Sequence, residues 1–171
     1  MNSDTNIRNA LFFNVLKYAW SLCLDSSINT VMMVDEAHVL LSNHNELGAE
    51  FLSQIQRRAR KYNTGTIVIT QQPTDFAAPN LIMHGKAIFD NASSYLIMNL
   101  RKQAVDDLSK LIDLNETEME RIKYYNQGEG LLICGNRRMN MTVIATQEEL
   151  DSFGSGAVSY THLTLPTKLE V

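Results

Sequence analysis

The run Thr30-Val31-Met32-Met33-Val34-Asp35-Glu36-Ala37-His38 decides the fold. After Thr30 it carries no polar side chain as far as Val34, and two carboxylates then follow at once. An uninterrupted apolar run of this length suits a strand buried on both faces of a parallel sheet. The acidic pair then sits at the C-terminal end of that strand. In open α/β sheets this is the edge along which ligands bind.

The rest of the chain is read outward from there. Upstream, residues 7–24 predict a helix, with Leu11, Phe12, Val15, Leu16, Ala19 and Leu22 near helical spacing and Asp25-Ser26-Ser27 as its stop. Downstream, residues 46–62 predict a second helix whose buried stripe is Leu47, Phe51, Ile55 and Ala59. Thr66-Ile67-Val68-Ile69-Thr70 is the next buried-strand candidate, closed by Gln71-Gln72-Pro73. Residues 78–89 are weakly helical, 94–100 form a third apolar strand, and 103–112 and 116–125 are helices separated by a turn. Two further strands, 130–134 and 141–145, meet at Gly135-Asn136, a hairpin signal, and 148–153 form a last helical turn. Strands alternating with helices give an α/β class with a mainly parallel sheet, flanking helices and a C-terminal hairpin.

Composition narrows the function classes. A chain of 171 residues can bury one real core, and a net charge of −4 excludes a general cationic coat for nucleic acid while leaving room for a local basic stripe. Cys23 and Cys134 lie in apolar runs and are expected as buried free thiols, with no C-x-x-C metal spacing. No apolar run reaches the roughly 18–20 residues that span a bilayer. The longest, residues 10–24, is interrupted by Asn14 and Lys17. The N-terminus lacks the basic-then-apolar order of a signal peptide, so the cytoplasm is the expected location.

Four apolar residues followed by Asp35-Glu36 form a Walker B pattern. The first carboxylate can hold magnesium, usually through water, and the second can orient or deprotonate an attacking water. The pair alone equally fits a helix N-cap, since acidic residues favour that dipole end. Asp35-Glu36-Ala37-His38 also spells a DEAH box, but a helicase of that class continues with a Ser-Ala-Thr element where this chain has Thr70-Gln71-Gln72. His38 has no second histidine at metal spacing and reads as a structural residue or a neighbour of the nucleotide. Gln71 ends the neighbouring strand, where an amide can bond the attacking water or the γ-phosphate; a turn residue before Pro73 is the plainer role. Arg57, Arg58, Arg60 and Lys61 end the second helix. They suit the macrodipole, a neighbouring subunit's γ-phosphate, or a nucleic-acid backbone.

The order of these elements resembles the VirB-type motor ATPases of type IV secretion and conjugation, including the TraC/TraE-like proteins. The resemblance covers residues 6–153. It rests on Asp35-Glu36-Ala37-His38, the run Arg57-Arg58-Ala59-Arg60-Lys61-Tyr62-Asn63, Thr70-Gln71, the stretch 87–100 with Asp90-Asn91, the segment 114–122, Gly128-Glu129-Gly130-Leu131-Leu132, and Gln147-Glu148-Glu149-Leu150. It implies a partial RecA-like P-loop NTPase fold over residues 1–157. ATP and Mg²⁺ would be the cofactors, with Asp35 serving Mg²⁺ through water, Glu36 activating water and Gln71 sensing the γ-phosphate. Arg57, Arg60 and Lys61 would be trans-acting basic residues. It further implies self-association into a ring or dimer, docking on other secretion components at the inner face of the bacterial membrane, and DNA as an optional contact. One departure is large: no G-x-x-x-x-G-K-[ST] occurs, and in the family that loop lies upstream. The chain alone is therefore expected to be inactive. Alternative readings are a DNA translocase or coupling ATPase of the RecA-like group, or a degenerate lobe that only binds partners. Residues 158–171, beginning Val158-Ser159-Tyr160-Thr161-His162-Leu163, look like a translated sequencing adapter, so the natural sequence is expected to break off near Ala157.

Overall fold

In the computed structural model, residues 3–41 and 45–153 are described. Helix α1 (Ser3–Leu22) leads into β1 (Thr30–Val34) through a turn in which Asp25 accepts both the N–H and the hydroxyl of Ser27. The short helix α2 (His38–Leu41) follows, then α3 (Glu46–Arg58), capped by the Asn45 side chain on the Gly48 N–H. A 3₁₀ turn at Ala59–Tyr62 ends at Asn63, whose φ of 52° reverses the chain into β2 (Thr64–Val68). The Asn63 amide secures that reversal by donating to the Ser26 carbonyl at 2.8 Å. β1 and β2 pair in parallel from Thr30–Thr64 to Val34–Val68, with α3 as the crossover and the first two hydroxyls 2.7 Å apart.

A 3₁₀ turn at Pro73–Ala77 and α4 (Ile82–Asp90) precede β3 (Ser94–Ile97). Then come α5 (Lys102–Leu108) and α6 (Glu116–Ile122), the latter opened by a reciprocal capping box between Asn115 and Glu118. β4 (Glu129–Cys134) and β5 (Arg137–Thr142) complete a sheet of order β3-β4-β5, in which β3 and β4 are antiparallel. The chain divides into two units, residues 1–141 and 142–171. The described part of the second holds α7 (Gln147–Phe153), where Thr146 and Glu149 bond reciprocally at the helix start.

Two buried clusters form the interior of the first unit. One gathers Trp20, Met32, Leu40, Leu52, Ile55 and Phe76; the other gathers Ile97, Val105, Leu108, Ile122, Leu131 and Ile133. Phe89 packs against both, edge-on to Phe76 at 5.7 Å and stacked on Tyr95 at 6.1 Å.

The fold is mixed α/β with a parallel pair and flanking helices, and several details depart from the sequence reading. β1 and β2 are not buried on both faces. Met32 is 6% exposed, but Val31 and Met33 on the other side are 68% and 61% exposed, as are Ile67 and Ile69 to a lesser degree. Side chains alternate along a strand, and among the described residues helices cover only the Met32 side. The third strand is shorter than 94–100 and pairs antiparallel. The last strand begins at Arg137 rather than at 141, because a two-residue turn at Gly135-Asn136 commits the very next residue to pairing. Gly135 takes that turn with φ 57°. In α3 the buried side is Gly48, Ala49, Leu52 and Ile55, while Leu47 faces solvent. A side chain at 48 would put its Cβ 2.4 Å from the Leu40 carbonyl, so the close approach of α2 fixes the rotation of α3. Cys23 is buried as expected, whereas Cys134 is only half-buried. The expectation for residues 158–171 lies outside the described residues.

Candidate active site

Where β1 ends, the backbone turns abruptly. Asp35 is exposed, and its Oδ1 accepts the Glu36 N–H at 2.7 Å. Glu36 takes φ 49°, a left-handed conformation that costs a residue with a side chain about 1–2 kcal/mol. The surroundings hold it there. The Ile69 N–H donates to the Val34 carbonyl and the Ala37 N–H donates to the Ile69 carbonyl, both at 2.9 Å. These bonds clamp the turn to the continuation of β2 and bring Gln71 alongside. Gln71 Nε2 donates to Glu36 Oε1 at 2.6 Å, across 35 positions of sequence. The other carboxylate oxygen faces Nδ1 of His38 at 3.1 Å.

Behind Gln71, the Pro73–Ala77 turn is tied to α5. Asp107 is buried there and accepts from Lys110 at 2.5 Å. The Lys110 ammonium holds the Asp107 carboxyl below the usual carboxylate range against the upward push of burial, and the Thr74 hydroxyl adds to the lowering. Neither Asp107 nor the approach of His38 to Glu36 was legible beforehand. Val-Asp-Asp-Leu reads as an ordinary helical stretch, and it is the winding of the single-turn α2 from the Glu36 turn that brings His38 to Glu36.

The structure thus brings Asp35, Glu36 and Gln71 together and leaves the basic residues elsewhere. Arg57, Arg60 and Lys61 are exposed. They lie just before Thr64, which pairs with Thr30 at the opposite end of the strands from Asp35. At about 3.3 Å per residue the separation along the strands is roughly 16 Å. Arg58 and Lys61 each approach the Tyr62 ring at 5.8 Å, and Arg58 also donates to the Tyr62 hydroxyl at 3.2 Å. A separate cleft of about 510 Å³ lies between α6 and the β4–β5 hairpin, crossed by an Arg138–Glu118 ion pair at 2.6 Å, and contains none of these groups.

Chemically, the cluster offers an exposed carboxylate, a second carboxylate that can accept a proton, and an amide that can orient a water. Among the described residues no group of three or more His, Cys, Asp or Glu could hold a metal unaided. One exposed hard oxygen donor at a strand end does fit a magnesium ion that keeps most of its waters or takes phosphate oxygens as further ligands. Among the described residues no helix is long and apolar enough to cross a membrane.

No family model matches the chain. Among curated proteins it is 22% identical over 177 residues to the uncharacterized protein pXO2-09 of Bacillus anthracis, covering 90% of this chain and 28% of that protein. Among solved structures it is similar to VirB4 of Thermoanaerobacter pseudethanolicus, with 32% identity, a TM-score of 0.79, and coverage of 87% of this chain and 40% of that one. The chain thus spans less than half the length of either relative. Sequence identity and backbone agree along nearly all of it, and on that ground the chain is a VirB4-like segment with a partial RecA-like fold.

Proposed function

We propose that this chain is the hydrolysis half of a motor ATPase of type IV secretion, acting on ATP with Mg²⁺ and powering conjugative DNA transfer. The observation that carries the reading is the Gln71–Glu36 bond at the C-terminal strand edge, made by a Glu36 held in a strained conformation in a VirB4-like segment. In this reading Asp35-Glu36 is a Walker B pair. Asp35 holds Mg²⁺ through water, and the ion, when bound, offsets charge on the phosphates. Glu36 accepts the proton of the attacking water. Gln71 orients that water and senses the γ-phosphate. The phosphate cradle of backbone N–H groups and lysine comes from outside these 171 residues, which contain no G-x-x-x-x-G-K-[ST].

Arg57, Arg60 and Lys61 then serve a neighbouring subunit's nucleotide in a ring or dimer, since they lie at the far end of the strands from their own Asp35. Docking on other secretion components at the inner face of the membrane belongs to the same reading. The test is Glu36→Gln in a full-length protein carrying this segment. The amide keeps the shape and loses the basic oxygen, so ATP binding should persist while turnover falls about 10²–10⁴-fold. Equal losses of binding and turnover would make Glu36 a structural or metal-holding residue instead.

A further inference from the structure

The carboxylate of Glu36 is approached from two sides. Gln71 donates to Oε1 at 2.6 Å, while His38 brings Nδ1 to 3.1 Å from Oε2. Both Nδ1 and Oε2 are shielded from solvent, and neither has a hydrogen-bond partner among the described residues: at 3.1 Å the two atoms are in reach of each other, and a small turn of the ring would align them. A shielded carboxylate oxygen and a shielded ring nitrogen each cost free energy when left alone, so each is the other's natural partner. The backbone makes the approach durable. The Val39 N–H donates to the Glu36 carbonyl at 2.9 Å and the Leu40 N–H to the Ala37 carbonyl at 3.1 Å, winding α2 directly from the strained turn. Leu40 and Leu41 are buried, which roots the helix in the core. His38 is therefore carried on a short, anchored element, whereas Gln71 stands exposed just past a strand end.

We propose that His38 is a positioning residue for hydrolysis: with its proton on Nδ1 it holds Glu36 Oε2 while Gln71 holds Oε1, so the carboxylate meets the attacking water in one orientation. The inference rests on Glu36 being the group that activates water. A carboxylate gripped at one oxygen still rotates about its terminal bond. Gripped at both, it does not, and displacements of about 1 Å in a reacting group can cost 10²-fold in rate. No contact of His38 with nucleotide is needed, and its effect should appear in turnover rather than in binding.

The test uses a full-length protein carrying this segment, with ATP as the probe, and compares His38→Asn, His38→Gln and His38→Ala beside Glu36→Gln. Asn presents an amide nitrogen where Nδ1 stands; Gln presents one where Nε2 stands. By the scale of lost positioning contacts, His38→Ala and His38→Gln should lower kcat about 10–100-fold with KM for ATP within about twofold, and His38→Asn should recover most of the loss. In the ¹⁵N-labelled 171-residue chain, the His38 ring should show the Nδ1–H tautomer, and Glu36→Gln should shift its Nδ1 resonance. If Glu36→Gln slows turnover but all three His38 variants match the parent, or Asn and Gln behave alike, the positioning role is overturned while the proposed function stands. If Glu36→Gln itself leaves turnover intact, both fall.

Discussion

The left-handed conformation of Glu36 gives a stability prediction of unusual sign. At most positions glycine is less stable than alanine by about 0.5–1 kcal/mol, because its unfolded chain is freer. At Glu36, with φ 49°, any residue bearing a Cβ carries about 1–2 kcal/mol of strain that glycine lacks. Glu36→Ala and Glu36→Gly both forfeit the Gln71 bond, a loss of about 1 kcal/mol at this half-exposed site. That loss cancels in the comparison. What remains is the strain relieved less the extra chain entropy, which leaves Glu36→Gly about 0.5–1 kcal/mol more stable than Glu36→Ala. With a urea slope of about 2 kcal/mol/M, midpoints should differ by about 0.3–0.5 M at unchanged slope. Urea titration of the 171-residue chain, followed by the fluorescence of buried Trp20, measures this directly. An alanine variant as stable as the glycine one would refute the claim that the turn is strained.

Three further outcomes follow from the same structure. Leu52 is wholly buried, so Leu52→Ala should cost about 2–5 kcal/mol in the same titration, while Met33→Ala on the uncovered side of β1 should stay within about 0.5 kcal/mol. In full-length assemblies, Arg60→Ala should abolish ATP turnover alone and regain part of it when mixed with Glu36→Gln subunits, because one interface then holds both intact residues; near-normal activity of Arg57→Ala and Arg60→Ala assemblies would leave these arginines only the helix dipole, worth about 0.3–1 kcal/mol. Ending the chain at Ala157 should leave its unfolding midpoint unchanged, since residues 158–168 show no helical periodicity; a lowered midpoint would count against a non-native origin for that stretch.

What could be read from the sequence was local. The apolar run of β1 followed by Asp35-Glu36, and the second run ending at Gln71, announced both strands and the edge on which the three polar residues meet, because that arithmetic depends only on neighbours in the chain. Burial on both faces was not readable. Val31 and Met33 are as apolar as a doubly covered strand requires, and only the packing partners decide whether the cover exists. Leu47 failed for a similar reason: the helical repeat gives a stripe, but the contact of Gly48 with the Leu40 carbonyl sets its rotation. Arg137 and Arg138 hid the final strand, since charged residues on an exposed hairpin obscure the alternation that marks a half-buried one. The contact of His38 with Glu36 needed a helix of a single turn, too short for any periodicity to register.

The bare side of β1 and β2 bears on how the chain behaves in a tube. Val31, Met33, Ile67 and Ile69 stand in adjacent positions on one surface, and among the described residues each strand has a partner along only one edge. Such a surface is open to a second copy of the chain, and the net charge of −4 is what would oppose that association. If two copies meet there, loss of monomer should be a second-order process. Its half-life shortens in proportion as the protein is concentrated, and salt that screens the weak repulsion hastens it. Dilution should then preserve this chain better than an additive that merely raises its melting temperature, because the associating species would already be folded.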